Sequence, residues 1–167
     1  VVEVNLKMDV ESIITNRRSK EKYPATFSFI DEKGNDQIWN IKVNLRGRFR
    51  RAQCEEMPPL KLNFKKSDLK EKGLSSFDDF KLVTHCVQDE KSAKELLLKE
   101  YLAYKLFNQL TDESFRVQLL KINYLDTKTG HRRRRRGKYR CVARVTRTGG
   151  AAEQGPCRSR AHPYRCG

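Results

Sequence analysis

Four arginines in six consecutive positions concentrate positive charge in the segment Arg46–Arg51. Guanidinium groups bind phosphate oxygens through paired hydrogen bonds, and backbone N–H groups beside a glycine add further donors. We therefore expect a phosphate-binding loop here. The alternative is a solvated loop that pairs with Glu55 and Glu56, because runs of charge are commonly solvated. The candidate phosphate ligands are Arg46, Gly47, Arg48, Arg50 and Arg51.

Two charged residues further along the chain are candidates for the same site. Lys61 follows the arginine segment in a strand-like pattern, where it could reach the same phosphates. Lysines on the open face of an antiparallel strand are usually only solvated. Glu100 lies in a helical pattern and could face such a lysine, as protein kinases arrange between a strand and a helix. It could equally pair with lysines beside Lys99 on the wet face of the helix.

The cysteines and histidines give little evidence of catalysis. Adjacent strand residues point to opposite faces, so His85 and Cys86 cannot readily form a nucleophile and base pair. The absence of any CxxC pair argues against a zinc site. Cys54 and Cys86 could form a disulfide if the protein is exported, and two unpaired buried thiols fit the sequence equally well.

Period-2 alternation of apolar residues predicts several strands. It begins at Val2 and returns around Phe27, from Trp39 to Leu45, from Leu60 to Phe64 and from Phe80 to Thr84. A last strand is expected over 115–124. Turn residues around Gly34 favour a hairpin between the second and third of these strands.

One long helix is predicted after the fifth strand. Ser92 and Glu95 fit a capping box, in which each side chain satisfies a backbone N–H of the other residue. The apolar arc that follows is wide, so we expect this helix to be well covered. Strands followed by a helix and a strand predict an α+β fold, an antiparallel sheet with one long packed helix.

The composition changes at Gly130. Residues 131–167 contain 11 Arg and 1 Lys but no Leu, Ile, Phe or Met, and they carry most of the net charge of +15. We expect residues 131–167 to be a disordered basic tail, and the abrupt change favours an out-of-frame end over a natural tail. Its run Arg132–Arg136 would bind polyanions without specificity and in a salt-sensitive way.

Residues 1–130 have the size of one domain. No run of 18 apolar residues could cross a membrane, and no basic-then-apolar leader opens the chain. The chain begins at Val1 without a methionine, from which we expect a processed or trimmed product. The expected organisation is one folded unit, residues 1–130, followed by the tail.

Six segments in order resemble the bacterial spore-coat protein H kinase-like family, in particular an exported branch. They cover nearly all of residues 1–127. They read YPATFSF at 23–29, VNLRGRFRR at 43–51, the run from Cys54 to Phe64, FKLVTHC at 80–86, LLLKEYLAYKLFNQLT at 96–111 and SFRVQLLKINYLDT at 114–127.

This resemblance implies the small lobe of an atypical, bilobal kinase-like fold that phosphorylates Ser or Thr of secreted or coat proteins with ATP and Mg²⁺. It makes the arginine segment the phosphate-facing loop, Lys61 the nucleotide-contacting lysine and the helix around Glu100 the small-lobe helix. The family's second lobe carries the catalytic and metal-binding aspartates, whereas residues 131–167 contain no Asp and only Glu153.

Phosphoryl transfer requires carboxylates that hold Mg²⁺ and orient the acceptor hydroxyl. We therefore expect an inactive amino-terminal part of an exported kinase, with no catalytic residue and no metal site of its own. The alternative is a non-enzymatic basic module that binds acidic surfaces or nucleic acid. Family likeness, the missing initial methionine and the possible disulfide favour an extracytoplasmic or secreted location.

Overall fold

Alternating apolar residues build the strands of a mixed sheet, which curls into a closed barrel with one long helix on its outside. The computed structural model describes residues 1–54, 57–74, 77–84, 89–111, 115–128 and 140–145. Within these ranges the strands are β1 Val2–Met8, β2 Tyr23–Ile30, β3 Asp36–Leu45, β4 Leu60–Asn63, β5 Asp79–Val83, β6 Arg116–Asp126 and β7 Arg140–Val145. The helices of the same ranges are α1 Val10–Thr15, α2 Phe49–Gln53, α3 Lys66–Glu71 and α4 Glu90–Leu110.

The barrel order is β1, β2, β3, β4, β5, β7 and β6, and β6 returns to β1. All neighbouring strands are antiparallel except β1 and β6, which run parallel from Val2 opposite Leu120 to Met8 opposite Asp126. The expectation of a purely antiparallel sheet was wrong in this respect. The α+β class is confirmed. Helix α4 connects β5 to β6, which run in the same direction on either side of β7.

The core fills the barrel interior with every second residue of the strands. Leu6, Leu60 and Leu82 are fully buried there, and Val43 lies among them. Full burial of such side chains contributes about 1.5–3 kcal/mol each relative to exposure. At one end of the barrel, Phe64 makes edge-to-face contacts with Phe27, Trp39 and Phe80.

Helix α4 begins earlier than the sequence pattern suggests. Its N-cap is Asp89, whose carboxylate accepts a hydrogen bond from the Ser92 amide at 3.0 Å. Hydrogen bonds from the Ser92 hydroxyl and amide hold the pKa of Asp89 below its ordinary value. The expected capping box from Ser92 to Glu95 was therefore wrong. An aspartate three residues before Ser92 provides the same kind of cap one turn earlier.

Only one side of α4 is covered by the described part of the chain. Leu97 is buried against Val83, Val117 and Leu119 on the outer face of the barrel. The opposite side of the helix is apolar and exposed. Its exposed residues are Leu96, Leu102, Leu106, Phe107 and Leu110. The expectation of a well-covered helix was wrong for this side, because an apolar arc in the sequence does not say which part of it meets the sheet.

Strand β7 lies in the segment that we expected to be disordered. Arg140–Val145 pairs with β5 on one side and with β6 on the other, and so closes the barrel. The expectation of disorder was therefore wrong for these six residues. Backbone N–H and C=O groups can join a ladder whatever the side chains are. The rest of 131–167, including Arg132–Arg136, lies outside the described residues.

Three short helices occupy segments that the sequence pattern left as loops. Asp9 caps α1 by accepting a hydrogen bond from the Ser12 amide at 2.9 Å. Helix α2 begins within the arginine segment and ends two residues after it, and α3 lies between β4 and β5. Among the described residues, no helix combines the length and the apolar character needed to cross a membrane.

Candidate functional site

The barrel brings together two arginine-containing segments that are about 30 residues apart in the sequence. Tyr23 at the start of β2 pairs with Val43 near the end of β3. The segment before β2 and the segment after β3 therefore leave the barrel at the same end. We call this end, formed by residues 16–22 and 46–54, the basic end.

The basic end contains most of the arginine of the folded part. Six of the seven arginines of residues 1–130 lie in it, but only two of the 17 lysines, and its one acidic residue is Glu21. Glu55 and Glu56, the partners in the solvated-loop alternative, follow in sequence and lie outside the described residues. Arginine, more than lysine, matches the geometry of phosphate oxygens with a rigid fork of donors. The preference for arginine over lysine at this end therefore fits a phosphate ligand better than it fits a surface that is only positively charged.

The backbone of the expected phosphate loop is held in place by local contacts. Gly47 has a φ of +75°, in the left-handed region that favours glycine. The Arg46 amide donates to the carbonyl of Pro59 at 3.0 Å. The Arg51 Nε donates to the carbonyl of Gly47 at 2.7 Å. These bonds fold the segment into a tight turn that leads into α2.

Arg17 and Arg51 join the two segments of the basic end. Arg17 donates from Nε to the Ile14 carbonyl at 3.2 Å, and from Nη1 to the carbonyls of Arg51, at 3.3 Å, and Cys54. Arg51 donates in the other direction, from Nη1 to the carbonyl of Ser19 at 3.1 Å. Both arginines thus donate hydrogen bonds to main-chain carbonyls of the other segment and hold the two segments together.

Three other arginines of the basic end have open guanidinium groups. Arg18, Arg48 and Arg50 are exposed, and their guanidinium groups form no hydrogen bond or ion pair with any described residue. Residues 15–19 also line an open surface pocket of about 340 Å³. An anion at this end would therefore meet free donors on a backbone that is already ordered.

The sequence pattern indicated only half of this arrangement. It pointed to 46–51 but not to Arg17 and Arg18, because nothing local connects these two residues with a segment 30 residues away. The pairing of β2 with β3 makes that connection. The signal that could have found them is the pair of adjacent arginines just before a strand, joined to 46–51 through the predicted hairpin.

Lys61 lies on the outer face of β4, beside the base of the loop, and its ammonium group already forms an ion pair. Its Nζ is 2.6 Å from the Asp79 carboxylate, and about a third of its side chain is exposed. Lys81 is its cross-strand neighbour on β5. Lys61 is therefore a weaker candidate for phosphate binding than the open arginines.

The structure does not bring Glu100 to Lys61. Glu100 is half-buried on α4 and forms no hydrogen bond or ion pair with any described residue, including Lys99. The main contacts of α4 are with β6 and β7, whereas β4 lies between β3 and β5. Lys61 takes Asp79 as its partner instead.

Cys54 is disulfide-bonded and buried at the end of α2. Its expected partner Cys86 lies outside the described residues, as does His85. The chain just after Cys54 and the chain just after β5 are in contact, because the Thr84 hydroxyl donates to the Met57 carbonyl at 2.8 Å. The bond to Cys54 therefore fastens the same segment that Arg17 holds.

The described residues do not fit a magnesium site. No group of three or more His, Cys, Asp or Glu side chains among them is placed to hold a metal ion. Mg²⁺ is usually bound through carboxylates together with the phosphates of its substrate.

Comparison with known proteins does not identify a family for this chain. No model of a protein family matches the chain, and no curated protein matches it.

Proposed function

We propose that this chain is the phosphate-binding, amino-terminal lobe of an exported kinase-like protein, and that it does not itself transfer phosphate. One observation carries the proposal. Arg48, the residue before α2, and Arg50, in its first turn, present open guanidinium groups on a segment whose backbone is fixed by Gly47, by the Arg46 amide and by Arg51. The proposed ligand is the phosphate chain of ATP.

Physical chemistry supports an anion at this position. Three open arginines at one end of a small barrel create a local positive potential that attracts phosphate. Each charge-assisted hydrogen bond to phosphate is roughly twice as strong as a neutral one. Because the loop is ordered by its own contacts, a ligand loses little affinity to ordering the site.

The architecture supports the comparison with a kinase small lobe in a general way. A curled sheet carries one long helix on its outer face, and the arginine loop joins two neighbouring strands. Lys61 has a secondary role in this proposal, because Asp79 competes with any phosphate for its ammonium group. We assign Glu100 no part in holding Lys61.

The proposed lack of activity rests on missing carboxylates. Residues 131–167 contain no Asp, and the described residues include no group that could hold a metal. The disulfide at Cys54 supports export, because disulfides persist mainly in oxidising compartments. The protein substrate of the proposed parent kinase would require a second lobe.

Calorimetric titration with ATP tests the proposed site. The variant Arg48→Gln/Arg50→Gln should bind ATP about tenfold or more weakly than the wild-type chain, because two charge-assisted contacts are lost. The matched control is Lys33→Gln/Lys70→Gln, which removes the same charge from two exposed lysines. Equal losses of ATP affinity in both variants would show that the effect comes from net charge alone, and would refute the site.

A transfer assay tests the second half of the proposal. With ATP, Mg²⁺ and a generic protein substrate, the chain should transfer no γ-phosphate above a blank without protein. Any transfer that disappears in the Arg48→Gln/Arg50→Gln variant would show that the chain is a kinase and would refute this half.

A second candidate function is the binding of nucleic acid or other polyanions. The open arginines favour it, together with the run Arg132–Arg136 in the sequence. Its affinity should fall steeply with salt and again when Arg132–Arg136 are replaced by glutamine. A site for ATP at the basic end should be insensitive to that replacement.

A further inference from the structure

We infer that the phosphate site extends beyond the loop 46–51 to the segment before β2, with Arg18 as a third direct contact and Arg17 as a positioning residue. The inference rests on the proposed function, and it specifies the ligand as a linear triphosphate chain. Such a chain occurs in nucleoside triphosphates and in inorganic tripolyphosphate. The two sources share the chemistry that the arginines would recognise.

The proximity of Arg18 to the loop follows from one hydrogen bond. The Ser19 carbonyl accepts from the Arg51 Nη1 at 3.1 Å, so these two residues are in contact. Arg18 and Arg50 each precede one of them in the chain. Their side chains therefore start from the two segments that the Arg51 side chain joins, and we expect a ligand longer than one phosphate to contact both.

Five of the six arginines of the basic end divide into two kinds by what their side-chain donors do. Arg17 and Arg51 use theirs on main-chain carbonyls of the opposite segment. Arg18, Arg48 and Arg50 have no partner among the described residues. The first kind sets the distance between the segments, and the second kind leaves its donors to a ligand. Five N–H donors in a planar fork make arginine suited to the first task as well as to the second.

General solubility does not account for this arrangement. The rest of residues 1–130 uses lysine for its exposed positive charges, with 15 lysines and the single Arg116 outside the basic end. A solvated surface has no preference for a fork of donors. The concentration of arginine at this end, beside the pocket lined by residues 15–19, points to an anion with several oxygens.

The test uses the full chain with Arg132–Arg136 replaced by glutamine, so that the tail does not dominate binding. ATP and tripolyphosphate are titrated in parallel with AMP as the short-chain comparison. Arg18→Gln is compared with Lys20→Gln, which removes an equal exposed charge two residues away in the same segment. Arg48→Gln/Arg50→Gln reports on the loop itself.

The expected result is an affinity for both triphosphate ligands about tenfold weaker in Arg18→Gln, with a much smaller change in Lys20→Gln. Equal effects of Arg18→Gln and Lys20→Gln, with a loss in the loop variant, would overturn the extension and leave the proposed function standing. If the loop variant also binds like wild type, the proposed function fails together with the inference. Binding of ATP without tripolyphosphate would overturn the assignment to the triphosphate chain.

The role of Arg17 is tested by Arg17→Lys, which keeps the charge but loses the fork. Affinity is measured at a temperature where circular dichroism shows the variant to be fully folded. A positioning residue predicts weaker triphosphate binding and a smaller preference for ATP over AMP. Unchanged affinity in the folded variant would make Arg17 a structural residue only and overturn its part of the inference.

Discussion

The Arg17 guanidinium donates a hydrogen bond to the main-chain carbonyl of Cys54, 37 residues further along the chain. The same Cys54 is disulfide-bonded, and the Cys54 amide closes the last turn of α2 by donating to Arg50 at 3.0 Å. Cys54 thus forms three bonds to other parts of the chain: a hydrogen bond from Arg17, a disulfide, and a hydrogen bond to Arg50. The contact with Arg17 therefore holds the end of α2 against the segment before β2.

Arg17→Ala should lower the free energy of unfolding by about 1–3 kcal/mol, because it leaves carbonyls that Arg17 now satisfies without their donor. Urea unfolding followed by circular dichroism measures the change. Arg18→Ala is the matched control, an exposed neighbour whose side chain forms no hydrogen bond or ion pair with a described residue, and it should change stability by less than about 0.5 kcal/mol. Equal effects of the two substitutions would mean that the contacts of Arg17 contribute nothing.

The strands could be predicted from the sequence because their burial follows a simple period. Val4, Leu6 and Met8 face the interior while Glu3 and Lys7 face outward. The same alternation in β3 and β4 gives their buried faces correctly. Alternation is a local property, so a single stretch of residues is enough to detect it.

The closure of the barrel and the basic end depend on contacts that local patterns do not encode. The parallel pairing of β1 with β6 joins residues more than 100 positions apart. The contact of Arg51 with Ser19 likewise requires that β2 and β3 be paired first. The sequence therefore indicated a phosphate loop but not the second segment that completes the arrangement.

The pairing of Lys61 illustrates a different limit. A lysine on the outer face of a strand was expected, and it is there, but its partner could have been any nearby acid. Asp79 is available because β5 lies next to β4 in register, with Asn63 opposite Asp79. The order of the strands decides which carboxylate forms an ion pair with a given lysine. The alternation of apolar residues does not predict that order.

Tyr23→Phe should raise the stability of the protein. Tyr23 is 9% exposed, and its hydroxyl is buried without a hydrogen-bond partner among the described residues. An unsatisfied buried polar group costs about 1–3 kcal/mol in lost hydration. We expect a gain of about 1 kcal/mol in the free energy of unfolding, measured in urea. Tyr23→Leu, which also removes the ring, should destabilise, and a loss on Tyr23→Phe would show that the hydroxyl has a partner.

The stability of the protein should depend on the charge of Asp9 in acid. Hydrogen bonds from the Ser12 hydroxyl and amide, with a smaller contribution from Lys128, hold the pKa of Asp9 below its ordinary value. A lowered pKa in the folded state means that the carboxylate stabilises the fold above the unfolded pKa of about 3.9. This contribution is lost as the pH falls through the folded pKa.

Asp9→Asn isolates this effect, because asparagine caps a helix about as well as aspartate but carries no charge. The wild-type chain should be more stable than Asp9→Asn at pH 6, and the difference should shrink as the pH is lowered from about 4 towards 2. Urea unfolding of both proteins across this range measures it. A difference that stays constant or grows in acid would contradict the assignment.

Substitutions on the two sides of α4 should have opposite consequences. Leu106 is 65% exposed, so Leu106→Lys should change the free energy of unfolding by less than about 0.5 kcal/mol. It should also reduce self-association, measured by light scattering, because exposed apolar patches favour aggregation. Leu97 is 5% exposed, and Leu97→Ala should cost about 2–5 kcal/mol through the cavity it leaves. A destabilisation by Leu106→Lys as large as that of Leu97→Ala would mean that the exposed side of α4 is packed in the folded chain.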